Sequence, residues 1–222
     1  MEFLIDGKKV RLNPYNMRYS PLIGEGTKAR VYLIGEKAYK LYKPFCDTEL
    51  MTKEKINYLK EIPTKRVILP ESPILDKKRR LKGYISKYVV DFGIEKFMLK
   101  DIDITLKELE KLYDDFLTLG DYKVLVNDAS YANSIFNDGI YIIDCGRFEI
   151  NDSISRFNNI QMFNDYIIGS LFTTYCRING INFSRIKQKY SDMYSKIDLV
   201  SYLEDDVGEV KNLDEYLRRK SR

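Results

Sequence analysis

The chain has no histidine among its 222 residues. That absence removes Ser-His-Asp triads, Cys-His dyads, zincin-type centres and most transition-metal sites at once. Any catalysis must run on Asp, Glu, Lys, Arg, Ser, Tyr or Cys, with a hard cation on oxygen ligands as the compatible metal. Cysteine is scarce too: Cys46, Cys145 and Cys176 lie far apart, odd in number and without a C-x-x-C spacing. Reduced thiols and a cytoplasmic location are therefore expected, rather than a disulfide framework or a zinc site. Long apolar runs are missing. Stretches such as "YIIGSLF" fall short of the ~20 residues a bilayer span needs, and "MEFLIDGKKV" is too polar for a secretory signal, so no membrane association is expected. Charge of one sign is not in large excess either: 37 Lys and Arg against 33 Asp and Glu give +4. This admits an anionic ligand but falls short of a nucleic-acid footprint, and no nucleic-acid partner is expected.

What is present suits an ordered protein. Hydrophobic residues make up 44% and charged residues 32% of a chain long enough for one large domain or two packed lobes. The first 90 residues carry hairpin punctuation: "EFLIDGKKVRL" around an Asp-Gly pair, "ARVYLI" and "AYKLYK" around "GEK", and "SPILD" and "LKGYISKYVV" around "KKRR". Between the last two hairpins, "DTELMTKEKINYLKEIP" reads as a helix capped by Asp47 or Thr48 and ended by Pro63. Beyond residue 90 the pattern turns helical. "TLKELEKLYDDFLTLG" has helical spacing, "FNNIQMFNDYIIGSLFTTYCRI" is apolar on most sides, and "NLDEYLRRKSR" is acidic at its start and basic at its end. Between them "VLVNDASYANSIFNDGIYIIDCG" returns to short strands around Asn-Asp-Gly. The fold class expected is α+β, a small antiparallel sheet with one helix followed by a mainly helical part.

Two clusters carry chemistry. In "GEGTKARV" Gly24 and Gly26 lack Cβ atoms, so their backbone can approach phosphate oxygens and offer N–H donors. Strand alternation puts Ala29, Val31 and Leu33 on one face, and Ala38, Lys40 and Tyr42 on one face. If Val31 and Ala38 share a cleft, Lys40 points into it beside small apolar walls, as an aromatic base next to a phosphate would require. A lysine so placed needs a carboxylate, and Glu54, four residues from Leu50 and from Tyr58, is the candidate, with Glu49 and Glu61 as competitors. The same residues also make an ordinary hairpin with a solvated lysine and an outward glutamate, so this cluster alone decides nothing.

The second cluster is "VNDASYANSIFNDGIYIIDCGRF". Asp128 is followed by Asn133, then by a hairpin, then by Asp144-Cys145-Gly146. Asn133 and Asp144 are suitable Mg²⁺ ligands, because that ion takes a few carboxylate or carbonyl oxygens plus phosphate and water. Asp128 is then left to accept a hydroxyl proton. Gly146 is expected to let the chain turn sharply beside the metal ligand.

In this order the residues resemble the protein-kinase-like superfamily. "GEGTKARV" is similar to G-x-G-x-x-G-x-V, "AYK" to the V-A-I-K strand, "NDASYAN" to the H-R-D-x-x-x-x-N loop and "DCG" to D-F-G. The likeness runs from about residue 22 to residue 147, a little over half of the chain. It implies a bilobal fold with an N-lobe over residues 1–89 and a reduced, mainly helical C-lobe over residues 90–222. It also implies ATP and Mg²⁺ as cofactors. Gly24 and Gly26 would cover the phosphates, with Ala29, Val31 and Ala38 near the nucleotide, Lys40 on the α- and β-phosphates and Glu54 paired with Lys40. Lys87 to Val89 would form the hinge after Ser86, Asp128 would be the catalytic aspartate, and Asn133 and Asp144 would hold the metal.

The departures are as informative. Ala29 replaces the third glycine, Val126-Asn127 stand in place of His-Arg, and Ser130 stands where many Ser/Thr kinases carry lysine. The interval from Gly146 to Asp165 is short and no Ala-Pro-Glu follows, so no standard activation segment is expected. "GTKARVY", "AYKLYK" and Ser130 look like the atypical RIO kinases. The function implied is an atypical Ser/Thr protein kinase acting on a protein or on itself. A nucleotide-binding pseudokinase scaffold and a small-molecule kinase of the aminoglycoside type are the alternatives.

Overall fold

Three hairpins supply six of the seven strands of the larger sheet. In this computed structural model, which describes residues 2–5, 7–11, 21–44, 51–186 and 199–222, β1 (Glu2–Ile5) turns into β2 (Lys8–Arg11). Likewise β4 (Ala29–Ile34) turns into β5 (Lys37–Tyr42), and β6 (Pro70–Leu75) into β7 (Leu81–Lys87). The first two turns use glycine in the left-handed region, Gly7 at φ 75° and Gly35 at φ 61°, as hairpin twist demands. The third has no glycine. Asp76 instead accepts the Lys78 and Arg80 backbone N–H groups, each at 2.9 Å, and Arg79 takes φ 60°. With β3 (Leu22–Glu25) the order is β2-β1-β6-β7-β5-β4-β3, antiparallel throughout.

Among the described residues of positions 1–90, the one helix starts later than the sequence suggests. α1 runs Lys53–Leu59, and its cap is Thr52, whose side chain accepts the Lys55 N–H. Asp47, Thr48, Glu49 and Leu50 lie outside the described residues, as does Cys46. Ile56 and Leu59 are fully buried on α1, which packs on β6. On the sheet, a further cluster gathers Phe3, Ile74 and Ile85, with Ile5, Ile34, Tyr39 and Leu41 against it.

The chain divides into two units. One comprises residues 1–63, 68–88 and 145–147, and the other residues 64–67, 89–144 and 148–222. Relative to a single cut near residue 89, two short segments change sides. Thr64–Val67 goes with the second unit because its backbone is held there by Asp115. Cys145–Arg147 goes with the first, where Lys55 of α1 donates to the Gly146 carbonyl at 2.8 Å.

The second unit is built around α3 (Ile102–Asp121), preceded by the short α2 (Ile94–Met98). Leu109, Leu112, Phe116 and Leu119 recur at helical spacing and are fully buried. Across from them lies one long helical run. α4 (Arg156–Asn164) continues into a π-helical stretch, Asp165–Phe172, and then α5 (Thr173–Ile178). Phe163 meets Tyr113 and Phe116 edge-on at 5.1 and 5.4 Å between ring centres. Gly120 lets the two runs close, since a Cβ there would lie 2.8 Å from the Arg156 backbone. Two strand pairs, β8 (Val124–Leu125) with β11 (Glu149–Ile150) and β9 (Ser134–Phe136) with β10 (Ile140–Ile142), flank this core, and α6 (Leu199–Asp206) and α7 (Leu213–Lys220) follow. Among the described residues no helix is long and apolar enough to cross a membrane.

Candidate functional site

In the first unit the strand register settles which side chains share a face. Val31 pairs with Lys40 and Leu33 with Ala38, so Ala29, Val31, Leu33, Ala38, Lys40 and Tyr42 lie on one side of the sheet. Lys40 in turn pairs with Tyr84 of β7, and its Nζ sits 5.6 Å from that ring's centre. Ala38 pairs with Ser86; Lys87, exposed, ends β7, and Val89 is buried. Gly24 pairs with Val31 beside a register shift. Neither Gly24 nor Gly26 takes a left-handed conformation. A Cβ at Gly24 would meet Val31 at an ordinary 3.7 Å, and one at Gly26 would come no nearer than 4.0 Å to the Ala29 carbonyl. The strand itself requires neither glycine. Glu54 is exposed in the first turn of α1. The α1 side chain that reaches the Asp-Cys-Gly stretch is its neighbour Lys55.

In the second unit Asp128, Asn133 and Asp144 are tied to one another through the backbone. The Asn133 side-chain amide donates to the Asp128 carbonyl at 2.9 Å, which leaves its Oδ1 to face elsewhere. The Asn133 carbonyl accepts the Ile143 N–H at 2.8 Å, and Asp144 follows. Asp144 takes φ 64°, a conformation most L-residues avoid. The sharp backbone turn expected at Gly146 therefore falls on Asp144: Gly146 has no positive φ and lies in a short 3₁₀ turn, Cys145–Arg147. A strained aspartate costs on the order of 1 kcal/mol, and such outliers concentrate at functional positions.

Side chains that sequence patterning passes over hold this loop. Asn159 of α4 is fully buried; its Oδ1 accepts the Val126 N–H at 3.0 Å and its amide donates to the Phe116 and Val124 carbonyls at 2.8 Å each. In the π-helical stretch Ser170 Oγ accepts the Tyr131 N–H at 2.8 Å. Tyr166 donates to Ser134 Oγ at 2.7 Å, which passes its own proton to the Ser130 carbonyl at 2.6 Å. The usable signal for Asn159 was an amide in an otherwise apolar run, because a buried amide must be satisfied. Asn159→Ala is expected to leave three buried backbone groups unpaired and to cost about 3 kcal/mol in urea unfolding, at roughly 1 kcal/mol or more per group. Asn159→Asp, unable to donate to either carbonyl, is expected to be no milder.

A second network, also unforeseen, braces the β9–β10 hairpin. The buried Arg66 guanidinium pairs with Glu108 of α3 and with Asp138, bonds the Tyr141 hydroxyl and stacks 4.5 Å over that ring. Gly139 leaves room for it, since a Cβ there would lie 2.5 Å from Glu108 Oε2. Burial raises the Asp138 carboxyl, but hydrogen bonds from Arg66 and Tyr141 outweigh it and hold its pKa at about 2. Burial and the bond to Asp138 push Tyr141 up to about 12. The folded pKa of Asp138 lies below the unfolded value of ~3.9, so its contribution to stability is complete above about pH 4 and is lost as pH falls towards 2. Urea midpoints measured between pH 4 and 2 are expected to fall more steeply for the wild type than for Asp138→Asn.

The two units also differ in charge. By sequence the first holds nineteen basic against ten acidic residues, and the second eighteen against twenty-three. No cluster of three or more His, Cys, Asp or Glu side chains capable of holding a metal occurs among the described residues. Asp144 and Asn133 offer one carboxylate and one amide oxygen, donor types that Mg²⁺ takes together with water and phosphate. Compared with known proteins, the chain matches no family model, and no curated protein matches it significantly.

Proposed function

We propose that the chain is an ATP- and Mg²⁺-dependent phosphotransferase of the protein-kinase-like, bilobal kind: a cytoplasmic, atypical Ser/Thr kinase that acts on a protein or on itself. The observation that carries this reading is the tie between Asp128 and Asn133, with Asp144 held in a strained conformation one residue after the bond to Ile143. The strand order supports it, since β5 with Lys40 lies between the glycine hairpin and β7.

In this reading Gly24 and Gly26 present backbone N–H groups to phosphate oxygens, and the Lys40 ammonium neutralises the α- and β-phosphates. Asn133 Oδ1 and the Asp144 carboxylate would hold Mg²⁺, which would supply positive charge to offset that of the phosphates. Asp128 accepts the proton of the acceptor's hydroxyl. Saturating MgATP, at 100 times its Kd, should stabilise the protein by about 2.7 kcal/mol, and ATP should be consumed with label appearing on the protein. Absence of any MgATP-dependent shift in melting would sink the reading. A shift without turnover would reduce the chain to a nucleotide-binding module.

A further inference from the structure

Asp115 is an acidic residue in the middle of the core of the second unit, only 3% exposed. Its partners are backbone. The carboxylate accepts three successive N–H groups, from Lys65 at 2.9 and 2.8 Å, from Arg66, and from Val67 at 2.8 Å. The segment so held is the edge on which β10 is laid. The Arg66 carbonyl accepts the Ile142 N–H at 2.9 Å, and Val67 pairs with Ile142 in parallel. Two residues beyond Ile142 is Asp144.

Glu108 stands two helical turns before Asp115, so one face of α3 supplies both acids. Asp115 takes the backbone of residues 65–67, and Glu108 takes the Arg66 side chain. The tip of the hairpin is fixed as well, by Arg66 on Asp138 and by Lys100, whose Nζ donates to the Asn137 and Asp138 carbonyls at 2.8 and 2.6 Å. Burial pushes the Asp115 carboxyl up even against its three N–H donors. A buried carboxylate is an expensive way to hold a loop, and such groups are retained where placement matters.

We propose that Asp115 is a positioning residue for Asp144, acting through the backbone of residues 65–67 and β10 to fix the metal ligand. The inference rests on the reading of Asn133 and Asp144 as the Mg²⁺ ligands. Residues that orient metal ligands from outside the coordination sphere typically change affinity by about 10-fold or more when replaced.

The test is a titration of the full chain with Mn²⁺ in the presence of a non-hydrolysable ATP analogue, followed by electron paramagnetic resonance. Asp115→Asn, equal in size but offering an amide to N–H donors, is expected to weaken Mn²⁺ binding about 10-fold, while binding of the analogue without metal stays as in the wild type. Leu112→Ala, a core truncation on the same helix, is the control. It should lower the melting temperature without moving the Mn²⁺ midpoint. Arg66→Lys keeps the backbone and charge but loses the fork, and is expected to shift the midpoint in the same direction; it serves if Asp115→Asn does not fold. A wild-type-like midpoint in the folded variant, or an equal shift in Leu112→Ala, overturns the role of Asp115 alone. A wild type that binds no Mn²⁺ overturns the ligand assignment and this proposal with it.

Discussion

Asp128→Ala is expected to lower phosphotransfer by about 10²- to 10⁴-fold, the usual worth of a positioned general base, while stabilisation by MgATP persists. Its carboxylate is assigned to the acceptor's proton and not to the nucleotide, so binding and chemistry should separate. Asp144→Ala should instead lose turnover and most of the MgATP-dependent stabilisation together, because it removes the single carboxylate of the two proposed cation ligands. Single-turnover transfer of labelled phosphate onto the protein itself measures the first quantity, and thermal shift with and without Mg²⁺ measures the second. The replacement brings no relief at φ 64°, since aspartate tolerates that region better than alanine does. Equal turnover in wild type and Asp128→Ala would mean that another group takes the proton, or that no transfer occurs.

The largest stability effect is expected at Gly83. A Cβ there would lie 1.9 Å from the Lys40 carbonyl oxygen, 3.0 Å from its carbon and 3.1 Å from Leu41 Cα. All three are backbone atoms, so no side chain can swing away. β7 must part from β5, breaking pairing around Lys40–Tyr84 and Leu41–Gly83 at the centre of the sheet. Overpacking of this kind costs roughly 1–3 kcal/mol, and each lost ladder bond about 1 kcal/mol more. Gly83→Ala is therefore expected to lose about 4 kcal/mol on these scales and to displace Lys40. Gly35→Ala is the comparison. Its φ is 61° but nothing lies within 4 Å, so only the backbone penalty of about 1 kcal/mol applies. Chemical denaturation of both variants gives the difference, and equal losses would contradict the β5–β7 register.

The hairpins were legible because their determinants are local. Turn residues sit between alternating strands, and Gly7 and Gly35 occur where positive φ is needed. The boundary of α1 was not, since Asp47, Thr48 and Thr52 are all residue types that cap helices, and the helix is capped by Thr52. The face shared by Val31, Ala38 and Lys40 followed from alternation once the register was known. At Asp144 the sequence misleads for a physical reason: glycine is the default residue for a tight conformation, yet here the aspartate carries it. The Arg66 network lay beyond reach because its partners are 42 to 75 residues away and no periodicity links them. Asp115 was similarly hidden, its backbone partners lying 48 to 50 residues away.

The π-helical stretch at Asp165–Phe172 makes the effect of a one-residue deletion in the long helical run depend on where it falls. Its bonding, with the Thr173 N–H reaching back to the Ile168 carbonyl five residues earlier, is that of a helix holding one extra residue per turn. Deleting a single residue between Tyr166 and Ser170 would restore regular α-helical periodicity, a repair by the measure of secondary structure alone. Because the wider turn advances less per residue than an α-helix, such a deletion would leave the parts of the run on either side close to their present register. Tyr166 and Ser170, which now meet Ser134 and Tyr131 together, should keep those partners. A deletion in α4 between Asn159 and Asn164 would instead turn Asn159 by about 100° relative to both, an asymmetry that deletion scanning would expose.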